Sequence, residues 1–181
     1  MAGSGAEHGA LSHVVLVGAL PESLTNFRGG LIRALVSEGH RVTAMAAPAS
    51  SEQVRAISAL GADFRHFPVQ RHGLSPLQEL KTLLSMSCTF RELKPNVVLA
   101  YTIKPVIWGG LALSGVPGIG FYALITGLGF AFQGEGIVRN TLTALVTRLY
   151  QASLGRASAV IFQNPDNRKV FVSLCCRTSV V

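Results

Sequence analysis

Four short stretches carry the residues whose types and spacing could do chemistry, and what they suit is the binding of an anionic ligand, with a loop that could also cover an apolar one. In the first, Thr25 and Asn26 are candidate helix caps, followed by Phe27, Arg28, Gly29 and Gly30 in a first turn whose free backbone N–H groups can meet an anion. An arginine there runs against the helix dipole, which favours an acid at that end. Either a ligand anion balances Arg28, or the side chain is solvated beside a packing glycine pair. In the second, Tyr101, Thr102, Ile103, Lys104 and Pro105 put a lone lysine at the mouth of an apolar run. Such a lysine can pair with phosphate as a point charge, or can be a surface side chain that snorkels to water. In the third, Thr126, Gly127, Leu128 and Gly129 precede Phe130 and Phe132, a glycine loop able to approach a ligand closely or to pack. In the fourth, Asn164 before Pro165 and Asp166 reads first as a helix cap and second as a ligand contact.

Other chemistries lack their residues. No G-x-G-x-x-G follows the first apolar run, and the second ends in Ala47 and Pro48, where a dinucleotide site wants an acid for the ribose. No G-x-x-x-x-G-K-[ST] is present. His8, His13, His40, His66 and His72 have no metal-ligand spacing, and Cys88, Cys175 and Cys176 fit neither a metal site nor a disulfide framework, so we expect no metal, no cofactor and a reducing compartment. No serine elbow, Cys–His pair or close carboxylate pair marks a complete hydrolase, and no catalytic residue is assigned.

The elements that must position these loops follow from hydrophobic period. Short apolar runs predict strands at His13–Val17, Arg41–Ala46, Asp63–Phe67, Asn96–Tyr101, Ile119–Ile125 and Ala159–Gln163. Between them, helical stripes are expected over Phe27–Val36 and Ser51–Leu60, then over Leu77–Leu93, with Leu77, Leu80, Leu83, Leu84 and Phe90 largely sharing a face. Pro105–Leu113 is a further helix, and Leu142, Leu145, Val146 and Leu149 mark a basic one carrying Arg139, Arg148 and Arg156, with Pro165 opening a last helix. Strands alternating with helices define an α/β fold: a doubly wound, mainly parallel Rossmann-like sheet of about six strands in a single domain, with its site at the carboxyl ends of the strands.

Composition bounds the rest. With 181 residues, 49% of them hydrophobic and 14% charged, the chain has room for one well-buried domain. Its net charge of +7 favours acidic partners, but no basic and aromatic stripe supports nucleic acid. Pro105–Gly134 carries no charge and is long enough to cross a bilayer, yet Pro117 and its many glycines would leave backbone groups unsatisfied in lipid, so a helix, a turn and a buried strand are expected instead. Residues 1–12 read as a flexible tail. From Ile137 onward six basic residues face one acid, which suits an anionic membrane surface or simply a solvated face.

Taken in order, Asn26–Gly29, Leu31–Leu35, Gly39–Val42, Tyr101–Pro105, Ile125–Gly129 and Phe162–Asp166 resemble the amino-terminal, acceptor-side half of bacterial family 4 glycosyltransferases, over roughly His13–Leu174. The resemblance implies a GT-B architecture, two Rossmann-like domains facing a cleft, with retaining transfer of a sugar from a nucleotide-sugar donor. The acceptors of the similar members are polyprenyl-diphosphate-linked glycans of surface polysaccharide or lipopolysaccharide assembly, handled at the cytoplasmic face of the cell membrane. It also implies substrate-binding roles for Asn26, Phe27, Arg28, Gly29, Thr102, Lys104, Thr126, Gly127, Gly129 and Asn164. The sequence departs from the family in having Thr126 where many members place a histidine. Residues 13–181 are expected to form the first domain with the donor-binding one absent, the irregular run from Cys175 fitting a truncated product or half of a split enzyme. The isolated chain is then expected to be inactive, because transfer needs donor and acceptor held together. The alternative is a noncatalytic Rossmann-like module that binds a phosphorylated ligand or a protein partner.

Overall fold

A computed structural model of the protein describes residues 11–70, 75–127, 137–166, 168, 169 and 171. Six strands, β1 (His13–Val17), β2 (Arg41–Ala46), β3 (Asp63–His66), β4 (Val97–Tyr101), β5 (Gly120–Ile125) and β6 (Ala159–Phe162), form one sheet in the order β3-β2-β1-β4-β5-β6. All five pairings are parallel. The chain winds outward in one direction from β1 and then in the other from β4, so the order switches between these two neighbours, whose register sets Val15 beside Val98.

The run HVVLV shows why the strands are apolar without alternation. Successive side chains of β1 point to opposite faces, and both faces are covered, as parallel sheets require. Val14 and Leu16 join Leu24, Ile32 and Ile57 under α1 (Pro21–Asn26), α2 (Gly29–Ser37) and α3 (Ser51–Ser58). Val15 and Val17 join Met86, Phe90, Phe121 and Tyr150 under α4 (Pro76–Leu93), α5 (Ile103–Leu113) and α6 (Ile137–Leu154). Each fully buried aliphatic or aromatic side chain contributes about 1.5–3 kcal/mol. Local signals set the ends: Gly39 turns out of α2 at φ +85, and Ser50 with Gln53 closes a reciprocal capping box on α3.

Three expectations need correction. The segment Pro21–Asn26, read as loop, is the short helix α1, so Thr25 and Asn26 end a helix instead of capping one, and the cap of α2 is Arg28. Helix α4 buries only part of its expected face: Phe90 is buried and Leu83 packs against the core, but Leu77, Leu80 and Leu84 are 75%, 50% and 55% exposed, while Glu79, Thr82 and Met86 are buried instead. The rotation has a polar cause. Thr82 donates to the carbonyls of Pro68 and Gln78, and Glu79 meets a lysine of the neighbouring helix. Arg156 lies beyond the end of α6, where it donates to the Leu113 carbonyl. Of the uncharged stretch from Pro105, the described part is α5, a turn and β5, as expected. No helix among the described residues is long and apolar enough to cross a membrane.

Candidate functional site

In a doubly wound sheet, ligands bind beyond the carboxyl ends of the strands where the order switches. A cleft of about 330 Å³ lies there. Ala19, Leu20 and Ser23 come from the connection after β1, and Thr102, Ile103 and Lys104 from the one after β4. Val69 and Gln70 follow β3, held against α4 by the Thr82–Pro68 hydrogen bond, and Thr126 and Gly127 follow β5.

Thr102 is the most strained residue of the site. Its φ of 67 and ψ of 159 fall in a region that is essentially glycine-only. A β-branched residue there costs on the order of 1–3 kcal/mol, and such conformations gather at ligand sites. Its Oγ1 is buried and has no hydrogen-bond partner, an orphan that a ligand hydroxyl would satisfy.

Lys104 is neither a snorkelling surface side chain nor an open cation. Its Nζ lies 2.5 Å from Glu79 Oε1, in an ion pair whose side chains are 17% and 12% exposed. Breaking this pair by removing one partner is the costly case in so largely buried a place.

The other side of the β1–β4 junction is a hydrogen-bonded stack. Ser23 donates to the Leu20 carbonyl at 2.6 Å, so its oxygen accepts from the Tyr101 hydroxyl at 2.9 Å. Burial pushes the Tyr101 hydroxyl above its usual pKa, with the Ser23 hydrogen bond and the Arg28 charge pulling the other way. It stays protonated and can donate at neutral pH. The Arg28 guanidinium carbon sits 4.8 Å from the centre of the Tyr101 ring, and its Nε is buried without a hydrogen-bond partner. A Cβ on Gly18 would fall 2.2 Å from the Tyr101 hydroxyl oxygen, so only glycine lets this tyrosine lie under the β1 loop.

Of the residues expected at the site, the structure brings Thr102, Lys104, Thr126 and Gly127 into one cleft and ties Arg28 to its edge through Tyr101 and Ser23. Asn26, Phe27, Gly29 and Asn164 do not line it. Phe27 is exposed, Gly29 is buried near Leu60, and Asn164 caps the helical turn after β6 by accepting from the Asp166 N–H at 2.8 Å. Gly129 lies outside the described residues. Sequence reasoning missed Glu79, Ser23 and Gly18. The spacing of Glu79, Thr82, Met86 and Phe90, one helical face, was the available signal for the first.

The parallel six-stranded sheet, with a cleft at its switch point, defines a Rossmann-like domain. The sequence pattern of the glycosyl transferase 4-like domain matches residues 25–173, and the chain belongs to that family. No curated protein matches it in sequence. Among solved structures it is similar to MurG of Acinetobacter baumannii (TM-score 0.58, 18% identity, covering 94% of this chain and 44% of that one). It is also similar to a glycosyltransferase of Rickettsia africae (0.64, 12% identity, 95% and 42%). A third is HepE of Anabaena, solved with UDP and glucose (0.61, 14% identity, 94% and 44%). At these identities the likeness is one of fold, that of a GT-B Rossmann-like domain, and the chain spans less than half the length of each of these structures.

Proposed function

We propose that this domain is the acceptor-binding half of a retaining glycosyltransferase, which moves a sugar from a nucleotide-sugar donor to a polyprenyl-diphosphate-linked glycan in surface polysaccharide or lipopolysaccharide assembly. The observation that carries the reading is the cleft at the β1–β4 switch point, with Thr102, Lys104, Thr126 and Gly127 on its wall and Arg28 at its edge. Family membership and the sugar nucleotide fragments in the HepE structure support the substrate class. Arg28, with its guanidinium fixed against Tyr101, receives the acceptor phosphates, and the cleft receives the glycan. A second Rossmann-like domain, on this chain or another, supplies the donor site. The basic residues of the carboxyl-terminal third favour a peripheral place on the inner face of the cell membrane.

Calorimetry with a polyprenyl-diphosphate-linked sugar and with a nucleotide sugar tests this. The acceptor binds and the nucleotide sugar does not, and Arg28→Ala weakens acceptor binding by about tenfold or more, as loss of a charge-assisted hydrogen bond does. The 181-residue chain alone transfers no radiolabelled sugar, because one wall cannot hold both substrates in register. Binding of the nucleotide sugar without the acceptor, or turnover by this chain alone, refutes the assignment.

A further inference from the structure

We propose that the cleft takes an uncharged sugar ring and turns phosphate away, because Glu79 already occupies the anion position beside Lys104. The inference rests on the acceptor-side reading and says which part of the acceptor enters. Among the described residues Lys104 is the only cation lining the cleft. Its ammonium is taken by a carboxylate at 2.5 Å, and both side chains are largely removed from water. A phosphate entering there would gain a cation already neutralised and would approach Glu79 with like charge, in a setting where screening is weak. At the start of α5, Pro105 removes one of the free N–H donors that an anion would use.

What remains in the cleft suits a pyranose. Thr102 Oγ1 is an unpartnered hydroxyl, and Gln70 and Thr126 add neutral donors and acceptors. Leu20, Val69 and Ile103 supply apolar surface for the C–H face of a ring. Arg28, stacked on Tyr101 and outside the cleft, has no ion pair among the described residues, which leaves it as the cation for phosphate.

The test is an NMR titration of the 181-residue chain with methyl β-glucopyranoside and, separately, with inorganic pyrophosphate. The glycoside shifts the amide signals of Thr102, Lys104, Thr126 and Gly127, whereas pyrophosphate leaves these in place and shifts those around Arg28. In Glu79→Gln the loss of the competing carboxylate lets pyrophosphate into the cleft at least tenfold more tightly than in wild type. The double variant Glu79→Gln with Lys104→Gln loses that gain. Pyrophosphate shifting the Thr102 and Lys104 signals of the wild type overturns the inference, as does the absence of glycoside shifts there. Should Glu79→Gln not fold, the wild-type titrations decide alone. Failure on the pyrophosphate arm leaves acceptor binding standing, whereas failure of the acceptor reading shows in the calorimetry with the lipid-linked sugar.

Discussion

Thr102 concentrates the conflict between stability and binding into one residue. Its backbone lies where only glycine is comfortable, and its hydroxyl is buried without a partner. Thr102→Gly should therefore relieve strain of order 1–3 kcal/mol while adding about 1 kcal/mol of chain entropy to the unfolded state. The expected result is a chain as stable as wild type or up to about 2 kcal/mol more so by urea unfolding, together with loss of the glycoside-induced shifts at the cleft. A destabilised Thr102→Gly would show that the side chain holds the fold and not a ligand. The position of Lys104 at the mouth of the cleft was legible because it directly follows a buried strand at the carboxyl edge of the sheet. Its partner was not, since Glu79 stands 25 residues earlier on a helix whose leucines advertise a different buried face.

At the scale of elements, the strands were the easiest to read, for a sheet buried on both faces demands unbroken apolar runs. Helix α1 escaped because six residues beginning at Pro21 carry no 3.6-residue stripe. The fit of α5 against its neighbours gives a sharper check. A Cβ at Gly110 would lie 2.7 Å from the Ser153 carbonyl oxygen on α6 and 2.9 Å from the Phe121 ring, whereas one at Gly109 meets Met86 and Ala100 at 3.5 and 3.7 Å. Alanine gains up to about 1 kcal/mol of helix propensity at either site, but overpacking at Gly110 costs about 1–3 kcal/mol. Gly110→Ala is thus expected to lower the urea midpoint and Gly109→Ala to leave it unchanged or raise it. Equal effects would mean that α5 and α6 do not pack through Gly110.

For the molecule as a whole, His13 couples three elements. Its Nδ1 lies 3.2 Å from the Leu93 carbonyl at the end of α4 and its Nε2 2.8 Å from Thr43 Oγ1 on β2, so Nδ1 carries the proton and Nε2 accepts. Burial, with Arg41 adding to it, holds the His13 pKa below 6.5, against the opposing pull of Leu93 and Asp63. The folded state then binds a proton less readily than the unfolded chain. The stability this confers is complete above pH 6.5 and is lost as acid is added, until the folded pKa is passed. His13→Gln is expected to be less stable at pH 8 but to lose less on going to pH 5. An unfolding free energy for the wild type that stays level across that interval would contradict this.

The sheet ends on both sides in strands of only four residues, β3 and β6. Rows this short expose few unpaired backbone amides, and Asp63 and Arg65 place charge along the first of them. Exposed borders of that kind make poor templates for a foreign chain, so a protein with so much aliphatic side chain is shielded from growing into intermolecular β-structure at high concentration.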